Sequence, residues 1–244
     1  MSTFKHSGDL GDIIYSLPTI KSLGGGVLYL DITGGADEPM CKAQCPDGKT
    51  KFNRQSFEFI KPLLEAQSYI KEVKIYNKEK IDHNLNNFRY TFADPKRRSK
   101  TGNLLDLHLN AFNLPEWDHN VPWIEVDNIK KLDKKTIVAR TPRYQSSHTW
   151  FESQRFNLSN KSIFVGLEKE HDLFEWTFGI KIPFYKVRDA LELAEILKGA
   201  NHLISNQTSI LAIGIGLGTV SIVQEVYTKF PNVVFEKKKN MIYV

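Results

Sequence analysis

Short apolar runs alternate with helix-period segments along this chain, and that alternation constrains its fold more than any other feature. Thr3-Phe4-Lys5-His6 reads as a short extended segment, followed by Ser7-Gly8-Asp9-Leu10-Gly11-Asp12, too rich in Gly and Asp for regular structure. Ile13, Ile14, Leu17, Ile20 and Leu23 then fall at helical offsets of three and four. Pro18 lies inside that window and either bends the helix or marks a later start. Gly24-Gly25-Gly26 stops it, and Val27 to Ile32 is a strong strand. Strand, Gly-rich loop, helix and strand make one βαβ unit.

The pattern continues. Phe57 to Tyr69 predicts a helix and Val73 to Tyr76 a strand, with a further helix from Asn103 to Phe112. Trp123 to Val126 is a short apolar run between Pro-marked connections. Residues 127–135 are polar, with four lysines, and mark a domain boundary, giving domains 1–127 and 128–244. Strands follow at Thr136–Ala139, Ser162–Leu167, His202–Ser205 and Val220–Val223, with helices at Ala190–Leu197 and Thr208–Leu217. Repeated β-α-β order implies an α/β fold with parallel sheets covered on both sides by helices.

Composition agrees with this. The chain has 244 residues, 41% hydrophobic and 25% charged, enough for one large domain or two small ones without a staple. The formal charge of +5 suits a phosphate-bearing ligand and permits nucleic acid without requiring it. No apolar run has membrane-spanning length, and the N-terminus lacks a signal-peptide core, so the expected location is cytoplasmic. Cys41 and Cys45 have no second pair to complete a metal site, and read as loop cysteines.

Four loops carry candidate chemistry. In the first, Gly8 and Gly11 allow close backbone approach, while Asp9 and Asp12 would repel a bare phosphate. Two readings stay open for these acids: a helix N-cap, or a base taking a proton from an attacking hydroxyl. The second loop, Arg140 to Tyr144, follows a strand. It is either a solvated turn or an anion site, with Arg140 and Arg143 as forked phosphate donors and Tyr144 adding a hydroxyl or a stacking face. In the third, Glu168 and Glu170 could hold ribose hydroxyls or serve as first-turn helix acids, and His171 reads as structural. The fourth is Ser205-Asn206-Gln207-Thr208-Ser209, where a cap and an anion cradle are both consistent with the residues. Glycines 214, 216 and 218 would let the following helix pack tightly. The basic run Lys96 to Lys100 reads as an exposed loop, and Trp150, Phe151 and Phe156 as half-buried core.

Ser7 to Pro18, with Gly11-Asp12-Ile13-Ile14-Tyr15 and a Pro three residues on, resembles the opening motif of the ADP-heptose:lipopolysaccharide heptosyltransferases, glycosyltransferase family 9. Leu203 to Gly218 resembles that family's second motif. Gln207 stands where the family has an acid, Thr208-Ser209 where it has Ser-Gly, and Ala212 where it has His. The resemblance implies the glycosyltransferase B architecture: two Rossmann-like domains facing across a cleft, here trimmed. It implies an inverting transferase without a metal or cofactor, with Asp12 as base. The acceptor side would be the N-terminal domain (Gly8, Asp9 and Gly11), and the nucleotide-sugar donor would bind the C-terminal domain. Two rival readings are a nucleotide-sugar binding protein without activity and a transferase acting on a hydroxylated DNA base. A Rossmann oxidoreductase lacks its glycine fingerprint.

Overall fold

The computed structural model describes residues 1–33, 52–93, 102–146, 149–229 and 231–244. Cys41, Cys45 and Lys96 to Lys100 lie outside them. The chain divides into two compact units: Met1–Asp118 with Asp189–Leu191, and His119–Arg188 with Glu192–Val244. Among the described residues no helix is long and apolar enough to cross a membrane.

The first unit is built on four parallel strands, β1 (Ser2–His6), β2 (Gly26–Leu30), β3 (Ile70–Ile75) and β4 (His83–Asn84), in the order β3-β2-β1-β4. Its helices are α1 (Leu10–Ser22), α2 (Arg54–Glu65), α3 (Phe88–Ala93) and α4 (Leu104–Asn110). Helix α1 starts three residues before its first periodic apolar residue. Asp9 takes the extended N-cap backbone, so Leu10, Gly11 and Asp12 form the first turn. Pro18 sits inside the helix, and residues 13–20 are all buried. The core therefore holds the helix on course past the bond that proline cannot donate. Gly25 and Gly26 carry positive φ, and a Cβ on Gly25 would lie 2.2 Å from the Tyr69 carbonyl oxygen. That explains the glycine stop before β2. Asn53 and Asn103 cap α2 and α4 by accepting from Ser56 and Asp106 amides, each worth about 1 kcal/mol.

The second unit has six parallel strands: β5 (Thr136–Ala139), β6 (Ser162–Val165), β7 (Phe184–Tyr185), β8 (His202–Ser205), β9 (Ser221–Gln224) and β10 (Met241–Tyr243). Their order is β10-β9-β8-β5-β6-β7. Its helices are α5 (Thr149–Ser153), α6 (Arg155–Lys161), α7 (Glu168–Phe178), α8 (Ala190–Gly199, of which Ala190 and Leu191 group with the first unit) and α9 (Ser209–Leu217). Ile137, Val138, Leu203 and Ile204 are buried, as central parallel strands require. Phe151, Phe164, Phe174 and Phe178 form an aromatic core beside them. Helix α9 packs closely because a Cβ on Gly214 would lie 2.5 Å from Leu203 Cδ2, and one on Gly216 2.6 Å from Ile124 Cδ1. Gly218 instead supplies the left-handed C-cap. The Trp123 and Ile124 amides both donate to the Gly216 carbonyl, which fastens the 123–126 run into this unit.

Candidate functional sites

In each unit the first strand has neighbours on both sides, and the crossover reverses direction beside it. Loops at the carboxyl ends of the strands flanking such a switch point form the usual ligand crevice of open α/β sheets. The pairs in question are β1 with β4 and β5 with β8.

In the first unit, the loop after β1 carries Gly8 and Asp9, and α1 begins at Leu10. Asp9 occupies the N-cap position without a side-chain capping bond, whereas Asp12 is a first-turn acid with a part-exposed side chain. Gly11 is the second residue of α1. Gly8 is buried, and a Cβ there would lie 2.5 Å from His6 Cε1, 2.8 Å from Asp12 Oδ2 and 3.0 Å from Arg89 Nη2. Only a hydrogen fits between those three groups. Asn86, after β4, holds the loop: its Oδ1 accepts from the Ser7 amide and hydroxyl, both at 3.1 Å, and from Arg89 Nη1 at 2.9 Å. The Gly8 amide donates to His6 Nδ1 at 2.8 Å.

In the second unit, the four loops after β5, β6, β8 and β9 meet at one edge of the sheet. Asn206, fully buried, accepts from the Thr141 amide at 3.1 Å. Its Nδ2 donates to the carbonyls of Thr141 at 2.9 Å and Arg143 at 2.6 Å. Arg140 departs from the expected phosphate role. Its Nε and Nη2 donate to both oxygens of Glu225, at 2.7 and 2.9 Å, and both residues are buried. The guanidinium also lies 5.2 and 4.9 Å from the Phe151 and Phe178 ring centres. Glu225 accepts the Ser146 amide as well, at 2.7 Å. Arg140 is thus a structural anchor for the loop that follows it.

Arg143 and Tyr144 are part-exposed. Arg143 Nη2 donates to the Tyr144 hydroxyl at 3.2 Å, Tyr144 takes a left-handed φ of 51°, and its ring lies 5.8 Å from that of Tyr227. Glu168 is exposed at the start of α7. Glu170 turns back to accept the Leu167 amide at 3.0 Å, the first-turn role rather than a ribose contact. Burial raises its carboxyl above the usual range, against the hydrogen bonds from Leu167 and Thr141. Gln207 is held between Asn232 Oδ1 at 2.6 Å and the Tyr227 amide at 3.3 Å. Thr208 caps α9 by accepting the Leu211 amide at 3.0 Å. Ser209 begins that helix, part-exposed, and the Ser209 and Ile210 amides bond to none of the described residues. Such orphan donors at a helix N-terminus suit an oxyanion. His171 is structural: its Nε2 bonds to the Ile182 carbonyl at 2.8 Å, and its ring stacks on Phe184.

Sequence reading missed Asn86, Arg89 and Glu225, and gave Asn206 no role of its own within the fourth loop. The available signal was position: Asn86, Asn206 and Glu225 stand within two residues of the ends of β4, β8 and β9, whereas Arg89 lies on α3.

No protein-family model matches the sequence, and no curated protein matches it either. Solved structures do. A glycosyltransferase family 9 protein from Veillonella parvula superposes at a TM-score of 0.61 with 14% identity, covering 99% of this chain and 84% of that one. Escherichia coli ADP-heptose lps heptosyltransferase II gives 0.57 with 9% identity, over 100% and 90% of the two chains. The E. coli heptosyltransferase WaaC, solved with ADP-2-deoxy-2-fluoro heptose, gives 0.52 with 8% identity over 100% and 92%. At these identities the likeness is one of fold: the chain shares the fold of these solved glycosyltransferase structures.

Proposed function

We propose that the protein is an inverting glycosyltransferase that needs no metal and moves a sugar from a nucleoside-diphosphate donor to an acceptor hydroxyl. The observation that carries this is the first-unit switch point. A part-exposed carboxylate, Asp12, stands there beside Gly8 and the Arg89 guanidinium. Asp12 takes the acceptor's hydroxyl proton while that oxygen bonds to the anomeric carbon. The bond from that carbon to the phosphate oxygen breaks, and its electron pair leaves with the diphosphate. One displacement from the face opposite the leaving group inverts the centre. The donor belongs to the second unit and the acceptor to the first, as the glycosyltransferase B architecture would have it. The Ser209 and Ile210 amides and Arg143 offset the leaving-group charge. Glu168 is the carboxylate left for the ribose, and Tyr144 offers a ring face.

The test is release of nucleoside diphosphate from a panel of nucleotide sugars and hydroxyl acceptors. Asp12→Asn should lower turnover by roughly 10²–10⁴-fold and leave donor binding intact. Unchanged turnover removes the assignment.

A second reading, a nucleotide-sugar binder without activity, draws on Gln207 and Ala212. Gln207 is tied to Asn232 and Tyr227, and Ala212 is fully buried in α9, where a His side chain would not fit. Bound donor that is never consumed would favour it.

A further inference from the structure

Behind the Gly8 loop lie two histidines that no part of the chemistry above uses. His6, the last residue of β1, and His108, on α4, are both fully buried. Their Nε2 atoms are 3.3 Å apart. His6 Nδ1 accepts the Gly8 amide at 2.8 Å, and His108 Nδ1 lies 2.7 Å from the Leu104 carbonyl oxygen. These three contacts fix the protons. A carbonyl only accepts, so His108 Nδ1 carries hydrogen and its Nε2 is a bare acceptor. An amide only donates, so His6 Nδ1 is bare and its proton sits on Nε2, pointing at His108. The result is one directed chain: Gly8 N–H to His6, His6 to His108, His108 to Leu104. A third ring proton would set two donors face to face. The same assignment engages both ring nitrogens of His6, Nδ1 with the Gly8 amide and Nε2 with His108, and leaves neither for a metal.

The Phe88 ring stacks on both imidazoles, at 5.9 Å from His6 and 4.1 Å from His108. Among the described residues, charged and titratable groups around the pair include Arg89 on α3, over the Phe88 ring, Asp12 on α1, across Gly8, and His83 on β4, beyond Phe4. Arg89 opposes any added positive charge.

We propose that His6 and His108 are positioning residues of the transfer reaction: as a proton-ordered pair they fix the Gly8 loop, and through it the place of Asp12. This rests on the reading of Asp12 as the base. A loop held by water alone could tilt, and a displacement near 1 Å in a reacting group is enough to reduce turnover strongly.

Three measurements on the full chain test it. Nitrogen NMR of the histidines at pH 7 should show His6 protonated on Nε2 and His108 on Nδ1; either ring in the opposite tautomer overturns the proposal. His108→Leu removes the acceptor facing His6, while His108→Gln offers a carbonyl oxygen near the same place. The Leu variant should speed exchange of the Gly8 amide and lower kcat by roughly 10- to 100-fold with the donor KM unchanged. The Gln variant should recover most of both. Gly8 exchange that is the same in wild type and His108→Leu overturns the proposal, as does a kcat unaffected by the loss. If His108→Leu does not fold, the tautomers and the Gln variant decide. Full turnover in Asp12→Asn would remove the base while the tautomers and Gly8 exchange still report on the pair, so the two failures are distinguishable.

Discussion

Thr141 and Asn206 exchange two hydrogen bonds across the reversal point of the second sheet, amide to Oδ1 at 3.1 Å and Nδ2 to carbonyl at 2.9 Å. The side chain thereby imitates a strand neighbour and continues the β5–β8 pairing one residue beyond the sheet. Asn86 does related work in the first unit, where it receives the Ser7 amide and hydroxyl. In both, an asparagine beyond the adjoining strand fixes the loop that carries candidate chemistry.

Asn206→Leu keeps the volume but strands the Thr141 amide and several carbonyls. The expected loss is about 1–3 kcal/mol per buried group left unpaired. Urea denaturation measures it, and titration with nucleoside diphosphates should show weaker binding as Arg143 and Tyr144 lose their fixed loop.

Glu225→Gln should be among the more destabilising single changes, by about 3–5 kcal/mol, because it leaves the buried Arg140 charge without a carboxylate. Arg140→Met, of similar volume, should be tolerated better. A Glu225→Gln protein with the wild-type denaturation midpoint would contradict the structural role given to the pair.

Gly8→Ala forces a methyl group against His6, Asp12 and Arg89, the nearest atom at 2.5 Å. Turnover should fall by about 10²-fold, because Asp12 or the loop must move. The fold should survive, as judged by circular dichroism. Wild-type turnover in this variant would show that Asp12 tolerates displacement.

Burial lowers His108 from 6.5 to about 3, the Leu104 bond opposing and Arg89 adding to the shift. The unfolded chain therefore binds a proton between those values that the folded chain refuses. Its contribution to stability is complete above pH 6.5 and declines as pH falls toward 3, by roughly 1.4 kcal/mol per pH unit. Relative to His108→Gln, which has no ring to titrate, wild type should lose denaturation midpoint progressively as pH falls from 6.5 toward 3.

The alternation of apolar runs was enough to read the main strands and the α/β class, because parallel central strands are apolar on both faces. Shorter elements escaped. β4 has two residues. Helix α7 shows in the sequence only through its candidate first-turn acids, because only Phe174 and Phe178 of its eleven residues are buried, too few for a period. The loops that carry the candidate site were legible through their glycines, acids and strand-end positions. The partners of their side chains were not. Arg140 offers a fork to any anion, and that Glu225 takes it depends on a residue 85 positions away. His6 has the form of a strand residue, and its partner lies 102 positions on. Pairings at such separations are set by strand order, which no local pattern records.

The most direct measurement is calorimetric titration of the intact protein with ADP, UDP, GDP, CDP and TDP and their sugars, with NAD as control. The account predicts saturable binding of one nucleoside diphosphate and its sugar, weakened in Asn206→Leu. It also predicts stabilisation of about 2.7 kcal/mol when that ligand stands at a hundred times its dissociation constant. Binding of NAD alone, or of none of these ligands, would contradict it.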